Sequence, residues 1–275
     1  MMLVPSTDGV VVALHDLGGT GPPLLLAHAT GFHGRVFAPL AEHLRERFHS
    51  WAIDFRGHGE SRTPLDIDFQ WSGLADDVIA AVAFGDAPVY GFGHSSGGAA
   101  LLMAAARSPE LLQSAFCFEP ILWPDPGAAR PRAQQLAEGA RRRRATFPTR
   151  ADAYDNYASK PPFSWLDDSV LRAYVVDGFA IRDDGTVGLR CAPEVEAQIY
   201  LQGAANDAFG GLGRVTCPVA VARGTERGAL EREIVEAQAA ALPKGSLAEF
   251  PGLGHFGPLE DPRTVADAVL RAFGP

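Results

Sequence analysis

A serine, a histidine and the glycines around them carry the chemistry that this chain offers. Gly93-His94-Ser95-Ser96-Gly97 is a G-x-S-x-G pentapeptide lying between an apolar run, 88–94, and an alanine-rich stretch that continues through Arg107. A strand, a sharp turn and a helix in that order lift the central side chain clear of the sheet, while the glycines remove the Cβ atoms that would crowd the turn. A serine hydroxyl is a weak nucleophile at neutral pH and needs a histidine base that is itself oriented by a carboxylate. Among the eight histidines, His255 follows the last apolar run, in Phe250-Pro-Gly-Leu-Gly-His-Phe-Gly-Pro-Leu-Glu260. Strand ends of a doubly wound sheet open on one crevice, so His255 is expected to reach Ser95 across 160 residues of sequence (255 − 95). His94 and His28 fall at buried strand ends, where hydrogen-bonded structural rings are expected. His15, His33, His43, His49 and His58 carry no comparable signal.

The elements that must position these groups follow from hydrophobic pattern and turn residues. Strands are expected over 10–17, 24–30, 50–55, 88–94, 114–119, 218–224 and 246–250, with helices over 35–47, 71–84, 96–107, 230–242 and 261–273. The loop 54–61 holds two glycines and a possible Asp54–Arg56 pair. Alternation breaks after Glu119 and Pro120. From 121 to 214 the chain reads as helical pieces over 130–144, 151–157, 169–179 and 194–201, with one hairpin or turn over 178–189. The expectation is an α/β fold with a mostly parallel, doubly wound sheet flanked by helices. Residues 1–120 and 215–275 would form the core, and 121–214 a mainly helical insertion lying over it.

Taken together, these features resemble the α/β-hydrolase superfamily over nearly the whole length. The order is that family's: His28-Ala-Thr-Gly-Phe32, Asp54-Phe-Arg-Gly-His-Gly-Glu-Ser61, the serine turn, and Gly252-Leu-Gly-His255. The resemblance implies a triad built on Ser95 and His255, with the backbone N–H groups of Thr30 and Ser96 as an oxyanion hole. Ser96 opens a helix, where free N–H groups and the dipole favour negative charge. Ala29 stands where the family often has glycine, which leaves Gly31 as the alternative to Thr30. For the acid, most members place a carboxylate after the penultimate strand, but that loop reads Gly224-Thr-Glu-Arg227, with Glu226 one residue early. Members similar to haloalkane dehalogenases place it at the end of the strand after the serine helix, where Glu119 stands. Glu119 is favoured over Glu226, because a carboxylate at a buried strand end is costly unless paired.

The activity so implied is acyl transfer to water on a small or medium ester, thioester or lactone. Phe32 and Trp123 are expected among apolar groups roofing the pocket, which points to uncharged acyl groups. Two other readings stay open. One is a carbon–carbon bond hydrolase using the same triad, and the other a ligand-binding relative with incidental turnover. A net charge of −9 disfavours nucleic acid and anionic membranes as partners, so a small-molecule substrate is expected, with a monomer or homodimer as the assembly. The run Arg141–Arg144 reads as a solvated helix face. Cys117, Cys191 and Cys217 are too few and too scattered for a disulfide framework or a zinc site, and no metal or other cofactor is expected. Neither a basic-then-apolar leader nor a membrane-length apolar run is apparent, and a cytoplasmic setting is the expectation.

Overall fold

The computed structural model describes residues 1–85, 88–203 and 205–274, so Asp86, Ala87, Ala204 and Pro275 of the expected core and insertion lie outside the described residues. Its centre is an eight-stranded sheet in the order β1-β2-β4-β3-β5-β6-β10-β11. The strands are β1 (Met2–Pro5), β2 (Val11–Gly19), β3 (Pro23–Ala27), β4 (His49–Asp54), β5 (Val89–His94), β6 (Leu112–Phe118), β10 (Val219–Gly224) and β11 (Gly245–Phe250). From β4 to β11 every neighbouring pair is parallel, while β1 and β2 join antiparallel at one edge. β3, β5 and β6 are nearly continuous apolar runs because helices cover both faces of that part of the sheet.

α1 (Ala38–Leu44) and α10 (Pro262–Phe273), the latter preceded by the single turn α9 (Gly257–Glu260), pack on one face, α2 (Trp71–Ala83) and α3 (Ser96–Arg107) on the other, and α8 (Arg232–Ala241) fills the crossover between β10 and β11. Two apolar clusters result: one joins α2 and α3 to the sheet through Leu74, Val78, Leu101 and Cys117, the other joins α1 and α10 through Leu40, Phe92, Val265 and Val269.

Between β6 and β10 the chain runs through α4 (Pro126–Arg141), α5 (Arg150–Ala158), α6 (Asp168–Asp177) and α7 (Pro193–Gly203). Three short strands, β7 (Thr146–Phe147), β8 (Phe179–Ile181) and β9 (Val187–Leu189), form a separate antiparallel sheet among them. α4 lies against α7 through Ala137, Ala140 and Ala197, while Phe147, Tyr157, Val170 and Tyr174 extend the second core cluster outward. No helix among the described residues is long and apolar enough to cross a membrane.

Three differences from the sequence pattern have physical causes. β1 carries no periodic signal because it is four residues long and ends in Pro5. The helix expected over 35–47 is a 3₁₀ turn, Gly34–Phe37, followed by α1, since Pro39 has no N–H to continue one α-helical ladder. Asp54 and Arg56 do not pair. Arg56 is buried in a two-pronged contact with Asp77 of α2, Nη2 to Oδ1 at 2.8 Å and Nε to Oδ2 at 3.0 Å. Asp54 instead accepts from the Gly34 and Glu60 N–H groups at 2.7 and 2.8 Å and meets His15 Nε2 at 2.8 Å.

Candidate active site

Ser95 stands between β5 and α3 at φ 56°, ψ −119°, a conformation that costs a non-glycine residue on the order of 1–3 kcal/mol. The backbone around it holds that turn in place. Ser95 N–H donates to Phe118 O at 2.9 Å, and its carbonyl accepts from Ala99 and Ile121 at 3.1 and 3.3 Å. A Cβ on Gly97 would collide with the carbonyl oxygen of Ala27, so only glycine lets α3 start this close to β3.

His255 occupies the loop after β11, its side chain 14% exposed. Nε2 lies 3.2 Å from Ser95 Oγ and Nδ1 lies 2.7 Å from Glu119 Oε2. His94, the last residue of β5, reaches under this loop and places Nε2 2.8 Å from the His255 carbonyl. Burial first, and then the neighbouring His255, drive the pKa of His94 well below the ordinary histidine range, so the neutral ring donates that bond. His28 is fixed similarly, with Nδ1 2.8 Å from Ala29 O and Nε2 accepting from Phe55 N–H at 3.1 Å.

Glu119 directly follows β6, at φ 45°, and is fully buried. Its Oε1 accepts from Gly224 N–H at 2.9 Å and its Oε2 from Leu230 N–H at 2.9 Å, besides the contact with His255. Backbone donors of the β10–α8 loop thus support the buried charge. Glu226, in the same loop, has a 53% exposed side chain and pairs with Arg227 at 3.3 Å. Of the two carboxylates weighed from sequence, Glu119 is the one beside His255.

Thr30 and Ser96 face each other across the turn, Thr30 Oγ1 donating to Ser96 Oγ at 3.0 Å in a buried contact. Among the described residues neither backbone N–H donates to a protein acceptor. Gly31 N–H, by contrast, is committed to His58 Nε2 at 3.0 Å. Burial lowers the pKa of His58 to about 4, so this nitrogen is unprotonated and able to accept.

A cavity of about 340 Å³ opens over these groups, with Thr30, Ser95, Ser96 and His255 at its floor. Trp123 lines it, together with Ile121 and Phe256. Phe32 does not. It is buried in an aromatic cluster, 5.8 Å from Phe163, 5.3 Å from Tyr174 and 5.7 Å from Phe256 between ring centroids. Gly31, at φ 81°, turns the chain so that Phe32 enters the packing between core and inserted helices.

No motif or periodicity singles out Trp71, Trp165, Tyr200 or Arg132, which also line the wall. Trp71 reads as an ordinary helix start and Tyr200 as one residue of a helix face. Only the packing of α2 against α7, with Trp71 Nε1 donating to Ile199 O at 2.9 Å, brings them together.

Comparison with known proteins bears on this geometry. A family model described as "Alpha/beta hydrolase family" matches residues 24–268. A pimeloyl-[acyl-carrier protein] methyl ester esterase from Stenotrophomonas maltophilia (strain K279a) is 38% identical over 99 residues, 35% of this chain and 35% of that protein. The match thus spans about a third of the length of the curated relatives. Among solved structures, E-2-(acetamidomethylene)succinate hydrolase superposes with a TM-score of 0.86 at 21% identity, covering 99% of this chain and 98% of that one. The enol-lactonase from Burkholderia xenovorans LB400 does so with a TM-score of 0.74 at 18% identity, covering 98% and 99%. At such identities the likeness is one of fold.

Proposed function

The chain belongs to the α/β-hydrolase family, and from that premise we propose that it is a serine hydrolase cleaving a small to medium, largely apolar ester, thioester or lactone. The observation that carries the reading is the unbroken contact chain from Glu119 through His255 to Ser95, at 2.7 and 3.2 Å. The name of the Stenotrophomonas relative, a methyl ester esterase, supports carboxylic ester cleavage in particular.

In this reading Ser95 Oγ attacks the scissile carbonyl carbon while His255 Nε2 takes the hydroxyl proton. Glu119, held by two backbone N–H groups, fixes Nδ1–H and stabilises the imidazolium that forms. The uncommitted N–H groups of Thr30 and Ser96 receive the oxyanion, Ser96 with the helix dipole of α3 behind it. His255 then gives its proton to the leaving alcohol or thiol, and an acyl ester on Ser95 remains. Water enters, loses a proton to His255 and attacks the acyl carbon. Collapse of the second tetrahedral intermediate releases the acid and returns the proton to Ser95.

Residues 121–214 act in this reading as a cap over the core of 1–120 and 215–275, with Trp123, Trp165 and Tyr200 closing the cavity over the acyl group. The substrate is a small molecule that needs no nucleic acid, membrane or cofactor, and the protein works as a monomer or homodimer. Three buried free cysteines fit a reduced, cytoplasmic setting.

A fluorophosphonate probe combined with a p-nitrophenyl ester panel tests the reading. Labelling at Ser95, abolished in Ser95→Ala together with ester turnover, is expected. Probe-silent protein with a folded circular dichroism spectrum would sink the enzyme reading in favour of a binding protein.

A further inference from the structure

α4 presents Ala129, Arg132, Ala133 and Leu136 to the cavity, residues spaced to share one helix face. Three of them suit an apolar wall; a guanidinium among them does not. Arg132 Nη2 donates to Gly228 O at 3.0 Å in an exposed contact, and Gly228 also lines the cavity, so the charged end sits at the cavity's solvent-facing rim. Among the described residues no carboxylate lies within ion-pair distance of Arg132.

Arg227 makes the contrast. It lines the same cavity, but its guanidinium is bound by Glu260 at 2.5 Å, Glu226 at 3.3 Å and Gly252 O at 2.5 Å. One cation of the wall is neutralised by the protein, the other is not. A guanidinium drawn partly out of water against apolar neighbours gains most from an anion that takes its remaining N–H groups, and its planar fork matches a carboxylate.

We infer that the cavity takes an acyl substrate carrying a carboxylate remote from the scissile carbonyl, and that Arg132 receives that carboxylate. The inference rests on the serine-hydrolase reading and refines it. The acyl stem lies along Ile121, Trp123 and Ala133, the reacting carbonyl over Ser95, and the free acid against α4. It departs from the uncharged acyl group that the aromatic residues alone favour.

The test compares methyl half-esters of four- to eight-carbon dicarboxylic acids with methyl esters of the monocarboxylic acids of equal chain length, following acid release by pH-stat. The wild type should favour half-esters, with the ratio of kcat/KM values on the order of tenfold to a hundredfold, the worth of a hydrogen-bonded charge pair. Arg132→Gln keeps a donor for Gly228 O and removes the charge, so the ratio should collapse toward one; Arg132→Lys should keep part of it. An equal loss on both ester classes in Arg132→Gln would make Arg132 a tether between α4 and the β10–α8 loop and overturn the inference. Labelling of Ser95 by fluorophosphonate with no half-ester preference would overturn it while sparing the hydrolase reading. Absence of labelling would overturn both.

Discussion

Glu119 and Glu196 are both buried carboxylates, one at the end of the central sheet and one among the inserted helices, and they are held by opposite means. Glu119 is gripped by two backbone N–H groups and leaves one contact for His255. Glu196, on α7, meets Arg143 Nη1, and its other oxygen lies 3.4 Å from Tyr200 Oη. Arg143 also donates to Tyr157 Oη at 3.1 Å and to Tyr174 Oη, so one guanidinium ties the turn after α4 to α5, α6 and α7. Backbone donors fixed by the fold cost no side-chain entropy and hold a charge to a narrow position. Long side chains tie several inserted helices to one charge on top of their apolar packing, but each loses rotamer freedom in doing so. The sheet end is therefore built to aim a charge, the inserted segment to keep its pieces assembled. The two regions meet at Gly31, where a Cβ would come within 2.6 Å of Glu196 Oε1 and 3.3 Å of Arg143 Nη1.

The comparison breaks hardest at Glu119. Glu119→Gln is expected to cut kcat by about 10⁴-fold, since a neutral amide no longer holds His255 in the reactive tautomer. Steady-state kinetics beside a urea titration will separate that loss from misfolding. Retained turnover would mean that the sheet-end carboxylate only supports the loop.

Arg143→Met comes next and should cost ~3–5 kcal/mol of stability, because it strands Glu196 as a buried unpaired charge. The double variant Arg143→Met/Glu196→Leu should recover most of that loss in denaturant unfolding. If it recovers nothing, the contrast between aiming and assembling fails.

Acidification probes the sheet side. Burial holds His28 at about 3 and His58 at about 4, and also lowers His33 and His94, against an ordinary value of 6.5. The unfolded chain takes up these protons first, so the associated stability is complete above pH 6.5 and is lost as pH falls toward the folded values. His28 and His58 each contribute roughly 2 kcal/mol of loss between pH 7 and pH 5, and His33 and His94 add to it in the same direction. Unfolding free energies flat over that interval would show that the rings protonate in place. The smallest effect is expected of Glu226→Gln, whose exposed pair with Arg227 is worth about 1 kcal/mol or less; kcat should stay within twofold.

What could be read in advance follows from what each residue answers to. Ser95 and His255 stand in short stretches whose local geometry the glycines impose, and the order of strands brings those stretches together. Glu119 yields to a cost argument, since a carboxylate ending a buried strand must find partners. Phe32 does not yield, because one glycine at positive φ decides whether the ring faces the cavity or the interhelical packing, and both sites welcome an aromatic ring. Arg143 reads as one of four surface arginines, yet its side chain is only 15% exposed, because Glu196 waits 53 residues later on α7. Arg132 and Tyr200 belong to helices whose rotation about their own axes is set by contact with each other and, for α7, with α2.

One detail of Glu119 reaches beyond this chain. Its carboxylate closes the β10–α8 loop by capping the Gly224 and Leu230 amides, so the contact with His255 and the closure of the loop share a single side chain. Moving the acid into that loop, where most of the family carries it, therefore demands two inventions at once: a new carboxylate near residue 227 and a new acceptor for two orphaned amides. Neither change is useful before the other. A designer wishing to shift the acid must therefore begin by refilling the strand end.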